Sequence, residues 1–141
     1  VPINPMNFKN PKRDMAISAA GGPLMNIVLS VLSILILQFL IIPSAGFLPQ
    51  EIAEKILMPV GMMLKTSVVV NVVLASFNLI PIPPLDGGRI LVGLLPDKQA
   101  MTFSRIEPYG FIIVILLIAT GIANYFVMPL VNFFLSILGM F

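Results

Sequence analysis

Long apolar runs separated by short polar stretches dominate the sequence, and each run has the length of a membrane-spanning helix. The runs cover residues 15–42, 57–80 and 109–127. A helix rises about 1.5 Å per residue, so that about 20 apolar residues cross a hydrocarbon layer of about 30 Å. Charged residues are absent between Asp14 and Glu51 and again after Glu107. The pattern predicts an all-α membrane protein with about three transmembrane helices in a single membrane domain, residues 1–141.

Three further stretches flank or interrupt these predicted helices. Residues 1–14 are polar and broken by prolines, and we expect them to form a loop at the membrane surface. Residues 81–95 begin with prolines and continue into a short apolar piece, which predicts a broken or re-entrant segment. The apolar run 108–141 would extend about 51 Å as one helix, too long for one span and too short for two, so that we expect a C-terminal tail helix that is interfacial or only shallowly inserted. Candidate break points in this run are Gly121, Asn124 and Pro129.

The composition and the positions of the basic residues agree with a multi-pass membrane protein. Hydrophobic residues make up 58% of the chain and charged residues 10%, whereas soluble domains carry about 25% charged residues. Lysine and arginine concentrate in residues 1–14 and 86–107, which predicts that both regions face the cytoplasm. Lys65 lies inside the second predicted helix, where the simplest interpretation is that its side chain reaches the interface.

The same composition excludes several classes of function. The net charge is +2 and the basic residues are spread over several loops, so that we expect no nucleic-acid partner. Cysteine is absent, which excludes disulfides and thiolate chemistry. Histidine is absent too, so that the chain lacks the two commonest zinc ligands.

The stretch NLIPIPPLDGGRIL, residues 78–91, interrupts the apolar pattern with helix-breaking residues and a carboxylate. Its prolines favour an extended backbone over residues 80–84, and Gly87 and Gly88 can adopt positive φ, so that the chain is predicted to turn sharply after Asp86. Non-helical backbone at membrane depth is tolerated only beside protein or a water-filled cavity. The stretch is therefore either an ordinary loop with its carboxylate in water or a broken helix that presents this carboxylate at a site.

Two motifs in the sequence carry a family resemblance. An Asn-x-x-Pro-x-x-x-Leu-Asp-Gly pattern is present at Asn78, Pro81, Leu85, Asp86 and Gly87. A Gly-Pro-x-x-Asn pattern is present at Gly22, Pro23 and Asn26. Both resemble signatures of the site-2 protease family of intramembrane zinc metalloproteases. The opening VPINPMNFKNPKRDM also resembles the segment that precedes the second signature in short prokaryotic members, so that the resemblance covers nearly the whole chain.

The resemblance implies a role for each motif residue. Asp86 would be a zinc ligand beside two histidines, with a fourth position open to water. Asn78 would offer its amide to the developing oxyanion or to the substrate backbone, which could also pair with the extended segment. The other implied site residues are the substrate-binding Asn26, Pro81 and Leu85 and the structural Gly22, Pro23, Gly87 and Gly88. The residues alone leave alternatives open, since Asn78 could brace the broken helix and Asn26 could bond to a neighbouring helix.

The family's remaining motif, His-Glu-x-x-His on an earlier membrane helix, is absent because the chain has no histidine. We therefore expect the chain to be a C-terminal fragment that is inactive alone, with both histidines and the glutamate on a missing N-terminal helix. The alternatives are a degenerate relative and an accidental match. The complete protein would cleave membrane-anchored proteins within the bilayer, in a prokaryotic cell membrane.

Two other classes of function are compatible with the apolar pattern. Broken helices with a carboxylate at membrane depth also occur in transport and ion-binding modules, although we find no internal repeat of the kind that such proteins carry. A non-catalytic membrane scaffold could use the small residues of the first helix to bind partner helices.

Overall fold

A computed structural model describes residues 11–140, and every regular element in this part of the chain is helical. Residues 1–10 of the predicted surface loop 1–14 lie outside the described residues, and residues 11–14 belong to the first helix and not to a loop. The long helices are interrupted by single π-helical turns and end at glycine or proline-rich positions. The α-helices are α1 (Pro11–Ile36), α2 (Ile42–Ser44), α3 (Gln50–Ile52), α4 (Met58–Asn78), α5 (Asp86–Leu94), α6 (Asp97–Ser104), α7 (Glu107–Thr120) and α8 (Ile122–Ile137). The π-helical turns are Leu37–Ile41, between α1 and α2, and Ala53–Leu57, between α3 and α4.

Two continuous helices have the length and hydropathy to cross a membrane. Lys12–Ser44 contains 33 residues and Gln50–Asn78 contains 29 residues. A third candidate span consists of α6 and α7, which are bent by 63° relative to each other, and α8 is a shorter apolar helix. The expected fold class is therefore confirmed: an all-α membrane protein with two to three candidate spans, a broken segment and a C-terminal helix.

The region predicted as one helix, 109–127, is divided into two. Helix α7 ends at Thr120, and Gly121 has a φ of 78°, a left-handed conformation that glycine adopts without steric cost. A left-handed residue just after a helix is a common way for the helix to end. The chain then reverses into α8, which packs back on α4 and α7.

Helices α1 and α4 form an antiparallel hairpin that holds the core together. The hydroxyl of Ser30 donates to the carbonyl of Val68 at 3.3 Å, and the hydroxyls of Ser33 and Ser67 are 2.9 Å apart. Small side chains of this kind allow two helices to approach closely. Helix α8 closes the cluster, whose buried members are Ile34, Val68, Val72, Ile80, Ala123, Val127, Val131 and Leu135.

Helix α5 lies antiparallel along the first part of α1. A Cβ added at Gly93 would lie 2.2 Å from the Cβ of Ala16, and one added at Gly22 would lie 2.6 Å from Oδ2 of Asp86. Asp86 at the start of α5 therefore lies beside Gly22, which is about 15 Å along α1 from Lys12 at about 1.5 Å per residue. This contact brings the segment after α4 beside the first span, where both sequence motifs meet.

Candidate functional site

The segment between α4 and α5 is a series of tight turns. The N–H of Ile80 donates to the carbonyl of Phe77 at 3.1 Å, that of Ile82 to Ile80 at 2.8 Å, and that of Leu85 to Ile82 at 3.0 Å. The prediction that residues 80–84 run extended is therefore wrong. Prolines restrict their own φ and the residue before them, but these restraints also fit consecutive turns, which here satisfy the local donors.

The hydrogen bonding of this segment uses its backbone donors and leaves some of its acceptors free. Each backbone N–H from residue 80 to residue 85 is either donated within the segment or absent because the residue is proline. The carbonyls of Pro81 and Pro84, by contrast, accept no hydrogen bond from residues 11–140. Residues 80–85 therefore offer free backbone acceptors but no free backbone donors, and the expected pairing with a substrate strand stays a prediction.

Gly87 and Gly88 lie in the first turn of α5, and their role differs from the one predicted. Within residues 11–140, positive φ occurs only at Gly121 and Gly139, and the sharp turn precedes Asp86 instead of following it. A Cβ at Gly87 would lie 2.2 Å from the carbonyl oxygen of Leu79, and one at Gly88 would lie 2.1 Å from the nitrogen of Pro83. These glycines are required because the helix starts directly against the preceding backbone.

A third glycine fixes the same turn from the opposite side, and sequence reasoning missed it. A Cβ at Gly110 in α7 would lie 1.5 Å from the carbonyl oxygen of Pro83, which is fully buried. The signal available in the sequence was a glycine beside large residues near the start of an apolar helix. No local pattern, however, indicates which distant backbone atom it meets.

Asp86 presents its carboxylate at the junction of α5 and α1. The residue is half-buried, and its side chain forms no hydrogen bond or ion pair with any other residue between 11 and 140. Burial raises the pKa of the Asp86 carboxyl, and the positive charge of Arg89 offsets part of this shift. Its neighbour Gly22 is exposed, so that the carboxylate lies beside an open part of α1.

The two motif asparagines are half-buried, and neither side-chain amide has a hydrogen-bond partner within the described chain. Asn78 is the last residue of α4, and Asn26 lies on α1. Asn71 differs, because its amide donates to the carbonyl of Ser67 at 2.8 Å. The interpretations in which Asn78 braces the broken helix and Asn26 bonds between helices therefore find no support in residues 11–140.

The other motif residues divide into accessible and packed positions. Pro81 is exposed at the surface of the turn, and Leu85 is half-buried and packs against the hydrophobic core. Pro23 is buried within α1. Pro81 is thus accessible to a ligand, whereas the apolar side chain of Leu85 contributes mainly to packing.

The residues present fit one position of a zinc site but not a complete site. Asp86 has the acceptor-only carboxylate, free of other partners, that zinc uses as an oxygen ligand. Between residues 11 and 140, however, no three side chains of histidine, cysteine, aspartate or glutamate converge. The whole sequence also lacks histidine and cysteine, the two commonest zinc ligands.

Comparisons with known proteins agree with the motifs. The sequence profile of Peptidase family M50 matches residues 3–121. YwhC of Bacillus subtilis (strain 168), whose zinc metalloprotease name is provisional, is 29% identical over 132 residues, 94% of this chain and 58% of that protein. The zinc metalloprotease MJ0392 of Methanocaldococcus jannaschii is 31% identical over 93 residues, 66% of this chain and 23% of that protein. The chain thus spans only part of the length of both relatives, and no solved structure matches it.

Proposed function

Because the chain belongs to peptidase family M50, the site-2 proteases, we propose that it forms the aspartate-bearing half of an intramembrane zinc metalloprotease. The proposed reaction is hydrolysis of a peptide bond in a membrane-anchored protein. The observation that carries this proposal is the carboxylate of Asp86, which is half-buried, without a partner in the described chain, and next to the exposed Gly22 of a membrane-spanning helix. Both relatives are named as zinc metalloproteases, which supports the same chemistry.

Zinc would be held by Asp86 together with ligands from outside this chain. The family resemblance implies two histidines and a catalytic glutamate on another helix. Gly21 and Gly22 are exposed on α1, and nothing lies within 4 Å of a Cβ added at Gly21, so that a further helix has room to approach Asp86. When bound, zinc supplies Lewis-acid polarisation of the scissile carbonyl and activation of water. We call the chain together with this histidine-bearing helix the assembled protease.

The chain's own residues would position the substrate backbone. Since the turn offers only acceptors, an unwound substrate segment would donate its N–H groups to carbonyls such as that of the exposed Pro81. The complementary donor is the unpartnered amide of Asn78, which can bind the substrate carbonyl as negative charge develops on its oxygen. Asn26 on α1 is a second amide available to the substrate. Because the site lies between membrane helices, its substrates are proteins anchored in the same bilayer.

The first test compares the chain with the assembled protease. We expect the chain alone to bind no stoichiometric zinc and to leave a membrane-tethered reporter uncleaved, because Asp86 provides a single ligand. When the chain is joined to, or co-expressed with, a His-Glu-x-x-His helix, we expect about one zinc ion per chain and cleavage. Zinc would be measured by plasma mass spectrometry. Zinc bound stoichiometrically by the chain alone, or an assembled protein that neither binds zinc nor cleaves, would overturn the proposal.

Replacing Asn78 with alanine in the assembled protease should separate catalysis from metal binding. We expect unchanged zinc content and a turnover lowered about 10²- to 10³-fold, the usual cost of removing one oxyanion donor. Asn71→Ala is the matched control on the same helix, because that amide bonds to Ser67 and should affect turnover little. Loss of zinc in Asn78→Ala would instead assign the residue a structural role.

A further inference from the structure

We propose that a cavity beneath α6 binds a phospholipid with a zwitterionic head group. The cavity has a volume of about 560 Å³ and lies between the start of α1, α5, α6 and the start of α7. We call it the α6 cavity. The inference does not depend on the proposed protease activity, because it rests on residues other than Asp86 and the two unpartnered asparagines.

The wall of the α6 cavity is apolar, as an acyl chain or a glycerol ester requires. Its apolar lining residues come from three helices and the turn between α4 and α5. They are Met15, Pro83, Val92, Ala100 and Met101. A volume of this size is within the range of about 300–1,000 Å³ that is usual for small-molecule sites, and it would hold part of a lipid rather than all of it.

The polar lining of the cavity carries balanced charge. Lys12 and Asp97 form an ion pair of 3.0 Å, and Arg89 and Glu107 form another of 3.3 Å; all four residues line the α6 cavity. Two cations and two carboxylates thus lie beside one apolar space. A phosphate can bind to the cations while an ammonium group binds to the carboxylates, which is the charge pattern of phosphatidylethanolamine.

Exchange of these ion pairs for a lipid head group requires little energy. All four side chains are partly or largely exposed, and ion pairs that water can reach contribute little to stability. Lys12 also donates to the carbonyl of Leu95, a contact that it can keep while its pairing with Asp97 is exchanged. In a zwitterionic head group, the phosphate would replace the carboxylates as partner of Lys12 and Arg89. The ammonium group would replace these cations as partner of Asp97 and Glu107. An anionic lipid such as phosphatidylglycerol would bring its phosphate to the cations but leave Asp97 and Glu107 facing negative charge. The arrangement therefore favours the zwitterionic lipid.

The position of the cavity agrees with a lipid ligand. Lys12 is the first residue of the first span and Glu107 is the first residue of α7, so that each ion pair includes a residue at the start of a membrane-directed helix, where the membrane surface is expected. Helix α6 is bent by 63° from α7 and exposes Met101, as expected of a helix that lies in the interface. A head group bound at these pairs would leave its acyl chains directed along the spans.

The test measures lipid preference by native mass spectrometry on the purified chain in detergent. Phosphatidylethanolamine and phosphatidylglycerol with identical acyl chains would compete for binding. We expect a preference of about fivefold for phosphatidylethanolamine, which corresponds to about 1 kcal/mol. In the double variant Arg89→Gln/Glu107→Gln the preference should fall to about twofold or less, and circular dichroism would confirm unchanged helicity.

The matched control removes an ion pair that does not line the cavity. Lys55 and Glu51 form such a pair of 2.7 Å near the start of the second span, and the double variant Glu51→Gln/Lys55→Gln should keep the full preference. A photoreactive phosphatidylethanolamine, added to the unmodified chain, should label Met15 and Met101. The inference is overturned if both lipids bind equally, or if the Glu51→Gln/Lys55→Gln control loses as much preference as the Arg89→Gln/Glu107→Gln variant. Labelling of only α4 and α8 by the photoreactive lipid would overturn it as well. It is also overturned if a photoreactive peptide, and not the lipid, labels the cavity.

Discussion

Replacing Asp86 with asparagine in the assembled protease is expected to remove the zinc ion and abolish cleavage. Asparagine has nearly the same shape but lacks the negative charge, so that the site would lose its one anionic ligand from this chain. The fold should persist, because the carboxylate makes no hydrogen bond or ion pair within residues 11–140. Zinc content should fall from about one ion per chain to below about 0.1, with reporter cleavage below detection.

A carboxylate at the other end of the second span provides the control for this variant. Glu51 pairs with Lys55 at 2.7 Å near the start of the span Gln50–Asn78, so that Glu51→Gln makes the same chemical change far from the turn. Its zinc content and cleavage should equal those of the unmodified protein. Metal analysis and cleavage would be measured on the same preparations. An Asp86→Asn protein with one zinc ion and normal turnover would contradict the assignment of Asp86 as a ligand.

Replacing Gly110 with alanine is expected to destabilise the chain strongly. The new Cβ would lie 1.5 Å from the carbonyl oxygen of Pro83, a backbone atom of a fully buried residue that cannot rotate away. Helix propensity alone would favour alanine by about 1 kcal/mol. Overpacking of a buried contact costs about 1–3 kcal/mol, and more where backbone must move, so that the steric effect should prevail.

The control for this prediction is Gly21→Ala, because a Cβ there meets nothing within 4 Å. That variant should be more stable than the native chain by about 0.5–1 kcal/mol, the usual gain from replacing glycine inside a helix. Both variants would be compared by reversible unfolding of the chain alone in mixed micelles, followed by circular dichroism. If Gly110→Ala is as stable as the native chain, α7 does not pack against Pro83 as described.

The helical architecture could be predicted from the sequence because it depends on local quantities. Apolar runs without charges set the two long spans, and the proline-rich stretch sets the end of α4 at Asn78. The end of α7 could be anticipated only as one of several break points. The helix ends before Gly121, which has a left-handed conformation, whereas Asn124 and Pro129 do not. The break occurs at the one of these three residues that adopts a left-handed conformation without steric cost.

The candidate site could be predicted only as a set of residues. The motifs identified Asp86, Gly22 and Asn78, but the contact between Asp86 and Gly22 depends on how α5 packs on α1. The prolines predict an extended backbone, but they instead permit turns in which every N–H of residues 80–85 is donated locally. Gly110 helps to hold this turn by packing against Pro83. The two residues are distant in the sequence, so that no spacing rule predicts their contact. The roles of the asparagines and of Asp86 stay predictions.

The absence of free donors in the turn between α4 and α5 has a consequence for inhibitor chemistry. A compound that imitates a β-strand usually offers both N–H and C=O groups, but only its N–H groups would find partners along residues 80–85. N-methylation of such a compound would therefore remove the contacts that matter, whereas replacing its amide carbonyls by methylene groups would cost little there. Selective ligands would therefore be rich in donors along residues 80–85 and would keep a carbonyl only where it reaches the amide of Asn78.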